Sequence, residues 1–520
     1  MSEMIPGMRA VRPSPARPRD AAVTVVCRQV PGAGVEVFWL RRETSLSFAG
    51  GYYAFPGGRV DGADAQVPVE GAEGQEAALR AAAARELFEE TGLLLAGGAE
   101  KVGAEERGAA RAALLDRKET FVQVVQRLGL QLRARDFLAA GRWITPPFMP
   151  IRFDARFFLA EAPAVGVAEV WPGEAAEGGW VKPKEALRRW QAGSALLHPP
   201  NLHAMQVLDD FRGFEDAVQR LEGPPHCPGH VASRIEMQKG IMLFPLETPT
   251  LPPATHTNCY LLGNGELLIV DPGASEVRQY ARLLALVAGL KAEGKRPVAI
   301  FLTHHHADHI GGLEGVRERL GLPVWCHERT ADRLSVRTDR LLGDGEVITL
   351  QGAPPMRLRA LHTPGHARGH LCLLDEGSRA LIAGDMVSGV STIVIDPPEG
   401  DMTDYLQQLD RLRNLPAGVL YPAHGAPMPD GPAKLLELIH HREMREKKVL
   451  ESISAAGAKL VEIVPRAYDD VPEAIHPIAE RSTQAILIKL VREQKVERRD
   501  DTYFPRSAPG PAAPSSMSAT

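Results

Sequence analysis

Residues 303–312 of this chain read THHHADHIGG and contain the pattern HxHxDH. They directly follow residues 298–302, VAIFL, whose apolar side chains predict a short buried strand. The polar side chains would therefore leave a strand end in a tight loop, where several of them can converge. Imidazole nitrogen and carboxylate oxygen are ligands that a borderline metal such as Zn²⁺ prefers. Four such ligands are too many for one tetrahedral ion with an open position, so the stretch predicts two ions; the four are His304, His306, Asp308 and His309.

Three further candidate ligands follow in order at the ends of later predicted strands. His366 lies in TPGHARGH, Asp385 in IAGDM and His424 in YPAHG. The ordered set resembles the metallo-β-lactamase superfamily over about residues 237–428. The resemblance implies an αββα sandwich with two Zn²⁺ ions, and it makes Asp308 a candidate catalytic residue as well. It assigns His304, His306 and His366 to one ion, Asp308, His309 and His424 to the other, and Asp385 to a bridge between them.

Other polar residues near this set are expected to support it without binding metal. Asp271, in IVDPG, matches the first motif of the superfamily and is expected to position the metal-binding loop. The additional histidines His305, His362 and His370 are expected to lie behind the ligands or at the surface.

A centre with two metal ions indicates hydrolysis, because the ions acidify water and stabilise negative charge on the substrate. This chemistry does not distinguish thioester, lactone and phosphodiester substrates. Residues 391–409, STIVIDPPEGDMTDYLQQL, and the helical segment that follows resemble the lactamase-β-like endoribonuclease and glyoxalase II-like branches of the superfamily. The endoribonuclease branch carries a winged-helix-like module after the catalytic fold and cuts single-stranded RNA.

Basic residues of the C-terminal helices are the candidate contacts for such an RNA. Acidic residues such as Glu443, Glu446 and Glu493 alternate with them, which favours a solvated helix face over a phosphate-binding surface. The basic residues are Arg442, Arg445, Lys447, Lys448, Lys489, Arg492 and Lys495.

The N-terminal half carries a second, acidic pattern. Residues 54–61 read AFPGGRVD, and residues 85–93 read RELFEETGL. The second segment places three glutamates three and four residues apart, so they project from one face of a helix. Three carboxylates at that spacing repel one another unless a cation lies among them, and their hard oxygen atoms favour Mg²⁺ or Mn²⁺. The preceding Arg85 can orient one carboxylate through a bidentate pair. The glutamates are Glu86, Glu89 and Glu90.

These two segments resemble the Nudix box, GX5EX7REUXEEXGU, and match the second half of the box at every specified position. The first half departs from it, because the five residues after Gly58 are followed by Asp64 and not by Glu, and the twenty residues 65–84 stand where the box has seven. The role of the first acidic position is therefore left open. The resemblance implies that Glu86, Glu89 and Glu90 bind metal, and it makes Glu86, Glu89 and Arg85 the candidate catalytic residues.

Further segments, GRWITPPFMPIRFDARFF and EAAEGGWVKPKEAL, extend the resemblance over about residues 21–214 to the coenzyme A diphosphatase-like branch of the Nudix hydrolases. Members of that branch hydrolyse a diphosphate joined to another group. Four residues are candidate substrate contacts, although such aromatic side chains more often belong to the core: Trp143, Phe148, Arg152 and Phe153.

The composition sets the limits of these hypotheses. The chain has 520 residues, a formal net charge of −5 and 44% hydrophobic residues, and no apolar run is long enough to cross a bilayer. Five cysteines without a CxxC pair favour a reducing cytoplasm. All 17 histidines lie at or after His198, so the two halves are expected to use different chemistry.

We predict an α/β protein in which a Nudix αβα sandwich precedes the αββα sandwich and a small helical, winged-helix-like module. The expected boundaries are 1–20 for a flexible leader, 21–220 for the Nudix domain, 221–233 for a linker, 234–430 for the metallo-β-lactamase domain, 431–500 for the module and 501–520 for a disordered tail.

The leading functional hypothesis is a bifunctional hydrolase. With Mg²⁺ or Mn²⁺ it would cleave small-molecule diphosphates of the nucleoside diphosphate-X type, coenzyme A derivatives among the candidates, and with two Zn²⁺ it would hydrolyse an ester, thioester or phosphodiester. One alternative is an RNA- or nucleotide-processing enzyme whose C-terminal half is an endoribonuclease. In another, one half is a non-catalytic binding module. The sequence indicates no membrane partner and leaves the oligomeric state open.

Overall fold

The computed structural model describes residues 15–32, 34–46, 49–171, 173–224 and 227–506. Residues 1–14 of the predicted leader, 225–226 of the predicted linker and 507–520 of the predicted tail lie outside the described residues. The described part forms two α/β domains followed by a small helical module. Within it, no helix combines the length and the apolar character that crossing a bilayer requires.

The N-terminal domain is a mixed seven-stranded sheet with helices on both faces. Its strand order is β3-β2-β1-β8-β7, with β4 paired to β1 and β9 paired to β2; a separate short pair joins β5 and β6. The strands are β1 (Arg19–Val30), β2 (Gly34–Arg42), β3 (Tyr53–Ala54), β4 (Gly57–Arg59), β5 (Val69–Glu70), β6 (Leu132–Arg133), β7 (Leu138–Ile144), β8 (Phe153–Glu161) and β9 (Ala175–Val181). The helices are α1 (Gly74–Thr91), α2 (Ala104–Leu115), α3 (Phe121–Arg127), α4 (Pro183–Gln191), α5 (Pro199–Asp209) and α6 (Phe214–Glu222).

Helix α1 carries the acidic pattern and lies close to the sheet because its inner face is made of alanine. Residues 81–84 are almost completely buried, and the carbonyl of Ala83 accepts a 3.2 Å hydrogen bond from the hydroxyl of Thr24 on β1. The helix ends at Gly92, which adopts φ 73° and donates its amide to Phe88, as the Gly92 stop signal predicts. The insertion in the Nudix box adds β5 and lengthens α1 at its N-terminus.

The C-terminal domain contains two facing sheets. The first has the order β10-β11-β12-β13-β14-β15-β16, and the second has the order β17-β18-β19-β20-β21. The Asn264-Gly265 pair lies in the tight turn between the antiparallel strands β12 and β13, as such pairs commonly do. The first sheet comprises β10 (Ile235–Gln238), β11 (Ile241–Glu247), β12 (His256–Leu262), β13 (Glu266–Val270), β14 (Arg296–Phe301), β15 (Val324–Cys326) and β16 (Arg340–Leu341). The second comprises β17 (Val347–Leu350), β18 (Met356–His362), β19 (Leu371–Asp375), β20 (Leu381–Gly384) and β21 (Leu420–Pro422).

Helices cover the outer faces of both sheets and complete the αββα order. Apolar residues of the two inner faces form one core, and each outer face forms a further core with its helices. The helices of this region are α7 (Val277–Ala292), α8 (Ala307–Ile310), α9 (Leu313–Leu320), α10 (Glu328–Ala331), α11 (Met402–Arg413) and α12 (Gly431–Glu451).

The module at the end of the chain joins two helices to a three-stranded sheet of order β22-β24-β23. Its last strand lies within residues 501–520, so the prediction of a disordered tail from 501 is wrong for the start of that segment. Tyr503 is buried and pairs with both neighbouring strands, which holds this part of the chain in the sheet. The elements are β22 (Ala458–Lys459), α13 (Leu460–Ala467), α14 (His476–Arg492), β23 (Val496–Arg499) and β24 (Thr502–Pro505).

The two large domains pack directly on each other. The amide of Leu197 donates to the carbonyl of Met237 on β10 at 3.1 Å, and the indole of Trp190 donates to the carbonyl of Glu236 at 3.3 Å. The buried side chains of Tyr52 and Leu196 belong to the same apolar core as the inner faces of the C-terminal sheets. The C-terminal sandwich therefore has part of its core supplied by the N-terminal half.

Candidate metal centres

The histidine-rich site lies where several strands of the C-terminal sandwich end. Residues 303–306 follow β14, and α8 presents Asp308 and His309 from its first turn. His366, Asp385 and His424 follow β18, β20 and β21 in the second sheet. The structure therefore brings together the seven residues that the sequence predicts as ligands, from both sheets of the sandwich.

The ligand atoms form two main groups, and a third group, His304, His309 and Asp385, overlaps both. In the first, Nδ1 of His306 lies 2.9 Å from Nε2 of both His304 and His366. In the second, Oδ2 of Asp308 lies 3.4 Å from Nε2 of His424 and 3.9 Å from Nε2 of His309. The ligand atoms of each group lie within 4.8 Å of one another.

Asp385 lies between the two groups. One carboxylate oxygen is 3.4 Å from Nε2 of His366, and the other is 3.4 Å from Nε2 of His424 and 3.6 Å from Nε2 of His309. This is the position that a bridge between two ions would need.

Hydrogen bonds on the outer side of the histidine rings fix their orientation. Nδ1 of His366 donates to the carbonyl of Val394 at 2.8 Å, and Nδ1 of His424 donates to the carbonyl of His256 at 2.9 Å. Each bond turns Nε2 of the same ring toward the centre of the site. Such outer bonds set both the tautomer and the direction of a metal-binding imidazole.

Asp271 holds the metal-binding loop. Its carboxylate accepts hydrogen bonds from the amide and hydroxyl of Thr303 at 2.8 and 2.7 Å, and it contacts Nδ1 of His309 at 2.8 Å. Gly273, two residues on, is in such close contact that a Cβ atom there would lie 1.8 Å from the carbonyl of Asp308. The chain after β13 therefore packs tightly against the start of α8.

The additional histidines have separate roles. His370 accepts a hydrogen bond from the amide of Asp385 at 3.0 Å and contacts the hydroxyl of Thr363, so it supports the bridging position from behind. His362 stacks on His327 at 4.1 Å between ring centroids, and His305 lies beside His306 outside the ligand groups. Sequence reasoning missed His256 and Val394 because they act through backbone carbonyls, which leave no side-chain signal.

The charges in the histidine site favour the binding of cations. Burial, together with neighbouring imidazoles, holds the pKa values of His304 and His306 well below the usual range, so both rings are neutral and able to bind a metal ion. Burial opposes a proton on His309, but the carboxylates of Asp308 and Asp385 outweigh it and raise the pKa of His309 well above its usual value. The end of the site that holds these carboxylates therefore favours positive charge.

Two polar atoms at the centre of this cluster give a direct test of the fit to metal ions. Nε2 of His309 and Oδ1 of Asp385 are fully buried and have no hydrogen-bond partner among the described residues. Buried polar atoms are nearly always paired, so each requires an explanation. Both atoms face the space between the two ligand groups, and the mixed nitrogen and oxygen donors there match Zn²⁺.

The acidic site of the N-terminal domain lies where α1 contacts β4. The amide of Gly57 donates to Oε2 of Glu90 at 2.9 Å. At the next residue, Gly58, a Cβ atom would lie 2.5 Å from Oε1 of Glu86, so a larger residue there would displace this carboxylate. A Cβ atom at Gly57 would lie 2.5 Å from the carbonyl of Ala22, so the FPGG segment lets β4 lie close to both β1 and the acidic helix.

Arg85 organises the carboxylates around it. Its guanidinium donates to both oxygens of the buried Asp64 at 2.8 and 2.9 Å, and it also reaches Glu86 at 2.8 Å and Glu89 at 3.2 Å. The bidentate partner is thus Asp64, the residue at the first acidic position of the box, whose role the sequence leaves open. Arg85 stands between Glu86 and Glu89, and the three predicted glutamate ligands do not converge as closely as the histidine site does.

The glutamates themselves favour a neighbouring cation. Burial raises the pKa of Glu86 to about 7, and burial together with the charge of Glu86 raises the pKa of Glu90 well above its usual value. Burial also raises the pKa of Glu89. An added cation would offset the cost of ionising these desolvated carboxylates, and their oxygen donors match Mg²⁺ or Mn²⁺.

Two cavities flank the acidic site. A polar one of about 230 Å³ is bordered by Glu89 and Glu90, and also by Asp116, Glu174 and the 42%-exposed Trp171. These last three were missed in the sequence, although Glu174 stands at the start of the EAAEGGW segment. The second cavity, of about 280 Å³, is mainly apolar and reaches Gly57 and Gly58.

Three of the four candidate substrate contacts line the apolar cavity: Trp143, Phe148 and Phe153. Arg152 does not line it. Its guanidinium donates to the carbonyls of Thr145 and Ala16 at 2.9 and 2.8 Å, so it holds neighbouring chain segments in place.

The basic residues of the C-terminal helices are largely occupied by internal partners. Arg445 pairs with Asp470 at 2.8 Å, Lys448 with Asp469 at 2.6 Å, and Arg442 is buried with a hydrogen bond to the carbonyl of Ile393. The others form ion pairs of 3.8 Å or less with acidic neighbours: Lys447, Lys489, Arg492 and Lys495. The interpretation of a solvated helix face holds for the exposed Lys447, Arg492 and Lys495 but is wrong for Arg442 and Arg445, which are buried and make internal hydrogen bonds.

Known families divide the chain as the fold does. A family model of the NUDT19 Nudix domain matches residues 66–208, the metallo-beta-lactamase superfamily matches residues 252–424, and the beta-lactamase associated winged helix domain matches residues 460–504. The boundaries of all three matches fall within the domains that the structure shows.

Individual proteins resemble one half or the other. The beta-lactamase-like protein 2 homolog of Caenorhabditis elegans is 30% identical over 46% of this chain and 80% of its own length. The atrochrysone carboxyl ACP thioesterase of Aspergillus chevalieri is 31% identical over 46% of this chain and 77% of its own length. A crystal structure of a NUDIX hydrolase from Alicyclobacillus acidocaldarius is 29% identical over 40% of this chain and 99% of that chain, with a TM-score of 0.36.

Proposed function

The chain belongs to the metallo-β-lactamase superfamily through its C-terminal half, which follows a Nudix hydrolase domain, and on this premise we propose the reaction of each half. The N-terminal site cleaves a diphosphate linkage between a nucleoside and another group with Mg²⁺ or Mn²⁺. The C-terminal site hydrolyses an acyl thioester with two Zn²⁺ ions. The protein is thus a bifunctional hydrolase with two separate metal sites.

The observation that carries the C-terminal proposal is the central position of Asp385, whose buried Oδ1 has no hydrogen-bond partner among the described residues. Oδ1 lies 3.6 and 3.4 Å from Nε2 of His309 and His424, and Oδ2 lies 3.4 Å from Nε2 of His366, so the carboxylate as a whole would help to hold both cations. When bound, two such ions activate water for attack and stabilise the negative charge that develops on the substrate.

The chain's own residues would then direct the reaction. The rings of His366 and His424 are held by outer hydrogen bonds, so their Nε2 atoms need no rearrangement as the substrate reacts. Asp308 is partly exposed at 15%, and its carboxylate is placed to accept the proton that the attacking water loses. Water adds to the thioester carbonyl carbon, the C–S bond breaks, and the proton passes to the leaving thiolate to give an acid and a thiol.

Two observations favour a thioester over RNA. The named activity of one relative is that of an acyl carrier protein thioesterase, and its match covers 46% of this chain. The basic residues that would hold RNA phosphates already pair with acidic side chains and carbonyls. An RNA would have to break those pairs to bind along this face.

In the N-terminal site, water attacks phosphorus and a P–O bond of the diphosphate breaks. We assign the role of proton acceptor to Glu89, which keeps 20% of its side chain exposed and borders the polar cavity. Arg85 holds Glu89 and Glu86 from one side and is itself fixed by Asp64. The metal would be held by Glu86, Glu89 and Glu90.

The test uses the full chain, stripped with EDTA and reloaded with Mg²⁺ or Zn²⁺. ADP-ribose, an acyl-N-acetylcysteamine thioester and a single-stranded RNA are the substrates. We expect Glu89→Gln to reduce ADP-ribose hydrolysis by at least about 100-fold and to spare thioester hydrolysis. His306→Ala should do the reverse, because removing a ligand disables only its own centre.

Retained ADP-ribose hydrolysis in Glu89→Gln would refute the N-terminal assignment. Readily cleaved RNA with no thioester hydrolysis would refute the C-terminal one and favour the endoribonuclease alternative.

A further inference from the structure

The apolar cavity beside the acidic site is not built by the Nudix domain alone. Its near wall consists of residues of the N-terminal half, among them Trp143, Phe148 and Phe153. Its far wall contains Ile235 and Met237, which belong to β10, the edge strand of the first lactamase sheet. The cavity is therefore enclosed only when the two domains are packed together.

Contacts between the domains hold this far wall in place. The backbone of Met237 accepts the amide of Leu197 at 3.1 Å, and its sulfur lies 3.1 Å from the hydroxyl of Tyr52. Trp190 holds the adjacent Glu236 through its carbonyl. Met237 is 7% exposed and Ile235 is 4% exposed, so both side chains are buried parts of the interface.

The cavity adjoins the place where the diphosphate would be cleaved. Its wall includes Gly57 and Gly58, the residues in contact with Glu90 and Glu86. Arg42, the only charged side chain among the described residues of the lining, is near enough to Glu90 for its charge to lower the pKa of that carboxyl. The polar cavity lies by Glu89 and Glu90, where it can take the nucleoside side of the substrate.

We propose that Ile235 and Met237, residues of the lactamase domain, determine the specificity of the Nudix site by closing the cavity that receives the apolar group of its substrate. This inference rests on the proposed diphosphatase function. The ligand is a nucleoside diphosphate whose second phosphate carries a hydrocarbon chain. The charged centre of the substrate lies at the glutamates, and the chain extends toward β10, where Met237 limits its length.

The experiment measures kcat/KM for adenosine diphosphate n-alkyl esters, from methyl to dodecyl, with the full chain and Mg²⁺. Transfer of each methylene into an apolar site is worth about a three- to four-fold gain. The wild-type protein should show this gain up to a limiting length and none beyond it. Met237→Ala should move the limit to longer chains, because the substitution removes the end of a side chain that faces the cavity.

Met356→Ala is the matched control. Met356 is also a buried methionine of the core between the lactamase sheets, but it does not line the cavity. It should leave the limiting length unchanged. Ile235→Phe is a second variant with the opposite expected effect. Its larger side chain should reduce the limiting length of the alkyl chain.

The outcomes separate this inference from the function on which it rests. If no ester is hydrolysed, the methyl ester included, the proposed diphosphatase function fails. If all esters are hydrolysed equally, or if Met237→Ala and Ile235→Phe keep the wild-type limit, the specificity proposal fails while the diphosphatase function stands. A shift of the same size in Met356→Ala also overturns it, since the effect would then come from a loosened core.

Discussion

The two metal sites of this chain are built in opposite ways. The acidic site takes its three glutamates from residues 86–90, one face of one helix. The histidine site takes seven ligands from residues 304–424, at the ends of strands in two sheets. The first is therefore specified mainly by local helical spacing, whereas the second exists only when the whole sandwich has formed.

The contacts that hold the ligand side chains in place also differ between the two sites. The acidic site depends on one arginine, since Arg85 contacts Asp64, Glu86 and Glu89 at once. In the histidine site several rings have separate partners: Asp271 contacts His309, and the carbonyls of Val394 and His256 hold His366 and His424. A single lost contact should consequently damage the acidic site more than the histidine site.

Asp64→Ala should have the largest effect. It leaves the buried Arg85 without its bidentate partner, and such a broken buried pair costs about 3–5 kcal/mol of folding free energy. We also expect diphosphatase activity to fall by at least about 100-fold, because Glu86 and Glu89 lose the arginine that orients them. Denaturant unfolding and ADP-ribose hydrolysis measure the two effects.

Glu70→Ala is the control for this change, because Glu70 is an exposed carboxylate of the same insertion whose ion pair with Arg133 lies at the surface. Its effect should be under about 1 kcal/mol. Equal losses in the two variants would contradict the central role of the Asp64–Arg85 pair.

Asp271→Asn tests the histidine site, whose ligands come from several strands. The amide keeps the size of the side chain but cannot accept from both Thr303 and His309 in the same way, so the metal-binding loop loosens. A lost outer partner of a metal ligand typically costs about 10- to 100-fold in metal affinity. Competition with a chelator for Zn²⁺ measures this affinity.

Asp375→Asn is the matched variant, since Asp375 is a buried aspartate that supports the Ser378 turn away from the ligands. It should leave Zn²⁺ affinity unchanged. A loss in Asp271→Asn as complete as that in His306→Ala would show that the histidine site also depends on one central residue.

The same contrast explains what the sequence could predict. The helical register of Glu86, Glu89 and Glu90 and the Gly92 stop follow from local spacing, and the order of the histidine motifs identifies their site by family resemblance. The sequence did not identify the partner of Arg85, because the insertion separates Asp64 from the helix along the chain. The carbonyls of His256 and Val394 could not be found, since a backbone atom is not encoded by residue type. The shared cavity could not be found either, because it depends on how two domains dock.

His198 is a titratable residue in the region between the two sites. Its ring is partly buried and stacks on Tyr52 at 4.3 Å, next to the lactamase core. Burial, with a smaller contribution from the charge of Arg42, lowers the pKa of His198 to about 4. The folded state therefore binds this proton less readily than the unfolded state, whose histidine pKa is about 6.5.

Because the unfolded state binds this proton more readily, protonation favours unfolding. The contribution of His198 to the free energy of unfolding is fully present above pH 6.5 and is lost as the pH falls toward 4. The loss at pH 5 relative to pH 7.5 is about 2 kcal/mol. His198→Phe keeps an aromatic ring against Tyr52 but has no proton to bind, so the acid loss measured by denaturant unfolding should shrink by about that amount. The exposed His230→Asn should retain the full loss. If the free energy of unfolding falls equally with pH in wild type and His198→Phe, the contact between the two domains is insensitive to this proton. The acid sensitivity would then have to come from the metal sites.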